Sequence, residues 1–223
     1  MPSMFDLSGP SYGPALGGQP DSLVILLHGL GADGNDLIGL APYWARALPR
    51  TEFVSPHAPF PCDMAPFGRQ WFSLQDRSPA MVLAGVQAAA PILDGFIDQA
   101  LASRGLDEAR AALVGFSQGT MMSLYVAPRR QRAFAAIVGY SGAVVGAEAL
   151  AVETRSRPPV LLVHGDADPV VPFQALAVAT QALRAAGLAV TAVERPGLGH
   201  SIDEDGLMRG GRFLVERLGG VAP

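Results

Sequence analysis

Lysine is absent from this 223-residue chain: all sixteen basic residues are arginine, set against twenty Asp and Glu for a formal net charge of −4. Such a chain offers no basic field to displace counterions from a phosphate backbone, so no nucleic-acid partner is expected. Cysteine is nearly absent too. The single Cys62 excludes an internal disulfide and fits a reducing compartment. Charged residues make up only 16% and hydrophobic ones 49%, which excludes a disordered tail and predicts one domain spanning 1–223 with a peripheral segment over 1–20. Long hydrophobic runs are missing as well. The longest, 80–93, contains Gln87 and Pro91 and stops at Asp94, short of the roughly 20 residues of a membrane span, so no stable membrane insertion is expected. The opening MPSMFDL has no positive region followed by an apolar one, and a cytoplasmic protein is the expectation. No internal repeat or low-complexity linker is present.

What the chain does have is alternation. Apolar runs of strand length at 22–27, 52–55, 112–116, 134–140, 160–163 and 189–194 are separated by segments of helical period at 37–48, 80–103, 118–127, 173–186 and 203–218. That order predicts an α/β fold, a mostly parallel sheet with helices on both faces. Pro91 inside the longest helix predicts a kink or a split. Two intervals, 56–79 and 141–158, read as irregular; the second is too short to be a large lid.

The stretch GFSQGT, residues 115–120, puts Ser117 between two glycines directly after an apolar run. In a strand-turn-helix, a serine at the turn is strained and exposed at the sheet edge, and its neighbours must be small because strand and helix approach closely. The pattern alone is weak, since chance G-x-S-x-G matches number about 0.2 per chain of this composition. The strand before it and the helix-forming residues after it supply the context that a nucleophile elbow needs. The amide of Gln118 then faces the same space as the hydroxyl.

A serine hydroxyl attacks only if a base takes its proton and an acid holds that base in one tautomer. The chain has four histidines, His28, His57, His164 and His200, and only the last two follow Ser117 in the required order of serine, acid, histidine. His164 ends a predicted strand and reads as a packed residue. His200 sits in PGLGHS, a glycine-rich loop after the last predicted strand, and is taken as the base. For the acid, HGDADPVVP, residues 164–172, offers Asp166 and Asp168. Asp168 precedes a proline-stiffened turn and Asp166 suits the turn's own amides, but spacing by itself leaves both open.

Taken together, HGLGAD at 28–33, GFSQG around Ser117, the 164–172 segment and Gly199-His200 resemble the phospholipase/carboxylesterase family of α/β-hydrolases, which includes the acyl-protein thioesterases; the similarity runs from about 22 to 218. The resemblance implies the α/β-hydrolase fold, a Ser117, Asp168 and His200 triad, and an oxyanion hole built from the backbone amides of Leu30 and Gln118. No metal and no cofactor enter that scheme.

The sequence departs from the family at two places. In SPHAP, residues 55–59, His57 stands where asparagine is usual, and in QWFS, residues 70–73, Ser73 stands where aspartate is usual. This region flanks the acyl pocket in the family, and Trp71, Met64, Phe67 and Phe72 are candidates for its wall, with Cys62 an inert, at least half-buried thiol. The expected activity is hydrolysis of carboxylic esters of short to medium acyl chains through an acyl-enzyme. Close alternatives are an acyl-protein thioesterase or lysophospholipase acting on an acylated protein or lipid; a different class is a hydrolase-fold protein that only binds a small ligand. A weak homodimer is compatible with this reading.

Overall fold

The computed structural model describes residues 7–220, so the first six residues of the 1–20 segment and the last three of the chain lie outside the described residues. The parallel strands are β2 (Ser22–Leu27), β3 (Thr51–Val54), β6 (Ala111–Phe116), β7 (Ala136–Tyr140), β8 (Val160–Gly165) and β9 (Val190–Arg195), and β1 (Ser11–Tyr12) adds an antiparallel edge. Their order across the sheet is β1-β3-β2-β6-β7-β8-β9. A separate two-stranded hairpin joins β4 (Phe60–Pro61) to β5 (Arg69–Gln70).

Helices cover both faces, and the strand pleat sorts the side chains between them. Leu23, Ile25 and Leu27 point to one apolar cluster with α3 (Pro79–Ala102), α4 (Gln118–Val126), α5 (Ala147–Glu153) and α6 (Gln174–Ala185). Val24 and Leu26 point to the other, with α1 (Gly34–Leu37), α2 (Ala41–Ala45) and α7 (Glu204–Leu218). Strand β2 is buried along its whole length, which is why its sequence reads as a continuous apolar run without alternation.

Three expectations need correction. The helix predicted over 37–48 is broken into α1, a 3-10 turn at Ile38–Leu40 and α2; Gly39 and Pro42 interrupt the pattern, and Pro42 lies in the first turn of α2, the position where a missing N–H costs least. Of the kink or split predicted at Pro91, the split is absent, and α3 runs unbroken through it; Pro91 and Gln87, whose carbonyl loses its bond, are both exposed, so water can meet that carbonyl. Neither interval read as irregular is wholly so: 56–79 holds the β4–β5 hairpin and 141–158 contains α5. By length and apolar composition α3 could also cross a membrane, which the 80–93 run was expected not to do. In this fold its Val86, Ala89, Leu93 and Ile97 are buried in the core, and its Asp94 and Asp98 pair with Arg130 at 2.8 and 2.5 Å.

The strand order reverses between β2 and β6, the chain leaving β2 toward β3 on one side and β6 toward β7 on the other. In an open parallel sheet such a switch point leaves a crevice beyond the strands' carboxyl ends. Leu27 is paired with Gly115 at that edge. The loops beginning at His28 and at Ser117 therefore leave the sheet side by side.

Candidate active site

Ser117 adopts φ 53° and ψ −115° between β6 and α4, a strained positive-φ conformation that costs a non-glycine residue about 1–3 kcal/mol. The surroundings enforce it. Its amide donates to Tyr140 O at 3.0 Å, and a Cβ on Gly119 would lie 1.7 Å from Leu27 O, so helix and strand meet there with no room for a side chain. The serine side chain caps no amide of α4. Its hydroxyl is thus not committed to the helix that it begins.

The loop after β8 brings Asp168 to the same edge, and the loop after β9 brings His200. Asp168 Oδ2 accepts a hydrogen bond from His200 Nδ1 at 2.7 Å, while Oδ1 accepts from the amides of Val170 and Val171 at 2.8 and 2.9 Å. Burial works to raise the Asp168 carboxyl, but the His200 hydrogen bond and the two amides outweigh it and hold it below the usual carboxylate range. An ionised Asp168 requires the proton on Nδ1 of His200 and leaves Nε2 as the acceptor. The His200 ring lies at a tilt against Phe116, the residue before Ser117, with centroids 4.8 Å apart. A hydrogen bond from the Ser117 hydroxyl to the imidazole is absent among the described residues; such links in unliganded enzymes commonly tighten only with substrate.

On the other side of the serine stands the loop that follows β2. A Cβ on Gly29 would come within 3.3 Å of Ser117 Cβ, which puts Gly29, the residue before Leu30, against the elbow. His28 at the root of this loop is fully buried. Its Nδ1 lies 2.7 Å from Gly29 O and its Nε2 accepts from the Ala58 amide at 3.0 Å, an arrangement that only the neutral ring with the proton on Nδ1 satisfies. Burial pushes its pKa below the ordinary value of 6.5, against the opposing effect of the Gly29 carbonyl.

A family model described as phospholipase/carboxylesterase matches residues 16–216. The chain belongs to that family. A solved structure titled as esterase PE8 is 44% identical, with a TM-score of 0.91 over 96% of this chain and 100% of that one. Acyl-protein thioesterase 1 of Neurospora crassa is 29% identical over 216 residues, 89% of this chain and 88% of the relative. Esterase YpfH of Escherichia coli is 29% identical over 197 residues, 88% of this chain and 81% of the relative. The family, its hydrolase fold and a serine-hydrolase type of esterase or thioesterase chemistry are therefore common ground.

The residues singled out as an acyl-pocket wall separate into two groups. Met64 and Phe67 are 50% and 75% exposed on the connection between β4 and β5. Trp71 and Phe72 are 0% and 2% exposed, so an acyl chain finds no Trp71 surface to touch; its indole N–H instead donates to His28 O at 3.0 Å. His164 is buried at the end of β8, with Nε2 2.9 Å from Val171 O and 3.5 Å from Asp168 Oδ2. Asp166 accepts from the Gly197 amide at 2.6 Å, steadying the loop that carries His200. Cys62 is half-buried. At the departures from the family pattern, His57 Nδ1 accepts from the Gly34 amide at 3.1 Å and Ser73 Oγ accepts from the Gln75 amide at 3.2 Å. The His57 ring thus ties its loop to the first residue of α1, whereas Ser73 serves a local turn. Among the described residues no three His, Cys, Asp or Glu side chains gather where they could hold a metal ion. Reasoning from sequence missed the side chain of Gln118, which is fully buried and bonded to the 71–72 backbone; a glutamine inside a buried turn, unable to stay unpaired, was the available signal.

Proposed function

We propose that the protein hydrolyses carboxylic esters of short to medium acyl chains through an acyl-enzyme, with Ser117, His200 and Asp168 as the triad. The observation that carries this reading is the strained Ser117 and the 2.7 Å Asp168–His200 pair at one sheet edge. In the proposed sequence, His200 Nε2 takes the Ser117 proton as Oγ attacks the ester carbonyl. The tetrahedral oxyanion is met by the Leu30 and Gln118 amides, preorganised donors of the kind whose individual loss typically costs about 10²–10³ in rate. Collapse breaks the bond to the alcohol, which leaves with the proton from His200. Water, deprotonated by the same imidazole, then releases the acid and restores Ser117. Asp168 stays ionised and stabilises the transient imidazolium.

A thioester passes through the same steps, and relatives named acyl-protein thioesterase support that branch as the second reading. The ester reading takes its support from the 44% identical structure titled esterase. Rates on p-nitrophenyl esters of increasing chain length, measured beside an acyl thioester and with Ser117→Ala as control, test both. Preference for short and medium esters is expected. A strong preference for the thioester moves the protein to the other branch, and a wild type that turns over neither and resists a fluorophosphonate leaves only ligand binding.

A further inference from the structure

The two proposed oxyanion donors belong to different loops. Leu30 follows β2 and Gln118 follows β6, and an oxyanion hole works only if both amides hold one spacing before substrate arrives. The backbone between Arg69 and Phe72 connects them. On the Leu30 side, Gly31 N donates to Arg69 O at 2.9 Å and Arg69 N donates to Ala32 O at 2.8 Å. The Trp71 indole donates to His28 O at 3.0 Å. Leu30 is thereby bracketed in sequence, from residue 28 before it to residues 31 and 32 after it. On the other side, the Gln118 side chain uses both ends of its amide on one dipeptide. Its Oε1 accepts from Trp71 N at 3.1 Å and its Nε2 donates to Phe72 O at 2.8 Å.

Trp71 and Gln118 are both 0% exposed. In so dry a place the four polar groups have no water to fall back on, which makes these bonds stiff and hard to exchange. The strip is fastened at its other end as well: the Arg69 guanidinium donates to Ala58 O and, at 2.7 Å, to Pro59 O. The Ala58 amide returns to His28 Nε2 at 3.0 Å and closes the circuit.

We propose that Trp71 and the Gln118 side chain are positioning residues that set the distance between the Leu30 and Gln118 amides. The proposal rests on the esterase reading. If these side chains only filled core, their loss would reduce the amount of folded protein and leave each folded site at full speed. As positioning residues their loss slows each folded site, because a shift of about 1 Å in a catalytic group can cost on the order of 10²-fold.

The test uses Trp71→Phe, which removes one hydrogen bond and keeps most of the packing, and Gln118→Met, which removes both side-chain bonds at similar length. Active sites are titrated with a fluorophosphonate, kcat and KM are measured on p-nitrophenyl butyrate, and inhibition by phenylboronic acid reports affinity for a tetrahedral adduct on Ser117. The expected result is kcat per titrated site lowered about 10- to 100-fold, KM within about twofold, and boronate affinity weakened by the same factor as kcat. Wild-type kcat per titrated site, a loss confined to KM, or unchanged boronate affinity beside a lowered kcat would each overturn it. Should either variant not fold, the other decides, together with amide hydrogen exchange of the wild type: slow exchange at Gly31 and Trp71 is expected, and exchange as fast as an open loop counts against the clamp. A wild type that neither hydrolyses the ester nor reacts with the fluorophosphonate defeats the esterase reading itself; normal wild-type turnover with unaffected variants defeats the clamp alone.

Discussion

Asp168 and His200 are separated by 32 residues along the chain, yet carboxylate and imidazole meet at 2.7 Å. The Asp168 side chain is fully buried, whereas that of His200 keeps 17% of its surface open. A buried, amide-held acid behind a partly open base is the asymmetry that general-base chemistry requires, since the acid orients and the base must reach the substrate.

Replacing Asp168 with asparagine removes the charge that selects the His200 tautomer and leaves the shape. Under the proposed mechanism kcat on a p-nitrophenyl ester falls by about 10⁴, the scale that such a change costs in serine proteases, while Ser117→Ala removes fluorophosphonate labelling. An Asp168→Asn enzyme retaining more than a tenth of wild-type kcat would falsify the assignment of the acid.

His28 predicts a pH dependence of stability. Burial lowers its folded-state pKa below 6.5, with Asp33 and Asp36 acting to raise it and His57 to lower it further. The unfolded chain therefore binds this proton more readily. The stabilising contribution of neutral His28 is complete above about pH 6.5 and is lost as pH falls through the folded value. Urea midpoints between pH 8 and 5 are expected to decline less steeply for His28→Gln than for the wild type. Equal slopes would remove His28 as the proton acceptor.

Gly119 has no tolerance for a side chain, because its Cβ would enter Leu27 O at 1.7 Å. Gly119→Ala is expected to lose about 3 kcal/mol or more, or to yield insoluble protein, through displacement of α4 from β2. Chemical denaturation of the soluble fraction measures this, and a variant within about 0.5 kcal/mol of wild type contradicts the close approach.

Leu93, fully buried on α3, gives a contrasting case. Leu93→Ala should cost about 2–5 kcal/mol by lost burial and the cavity left behind, with kcat per titrated active site unchanged. A large fall in kcat in the folded variant would mean that α3 takes part in shaping the site.

The proposed nucleophile and base were readable as candidates because such chemistry writes local patterns: small residues around Ser117, and glycines before His200 on a loop after the last strand. The acid was less so. Asp166 and Asp168 share one loop, and each accepts a backbone amide, so turn chemistry could not separate them; family resemblance favoured Asp168, and the geometry joins it to His200. Trp71 stayed open between pocket wall and core because an aromatic in a proline-rich loop has the same local signature whether it faces ligand or core, and in the fold it is buried. The break of the 37–48 helix followed Gly39 and Pro42, which the apolar period overlooks, and the continuity of α3 through Pro91 turned on that residue's exposed position, a matter of neighbours that periodicity does not carry.

Composition and order along the chain thus determined the class of fold, the serine at the turn and the order in which Ser117, the two candidate aspartates and His200 follow one another, since these depend on residue types and on the periods of strand and helix. Tertiary structure alone decided which aspartate reaches His200, that Trp71 braces the loop of Leu30, and that Gln118 binds the two loops together. These are contacts between segments brought side by side by the parallel sheet, where hydrogen-bond direction and burial are set in three dimensions by groups tens of residues apart.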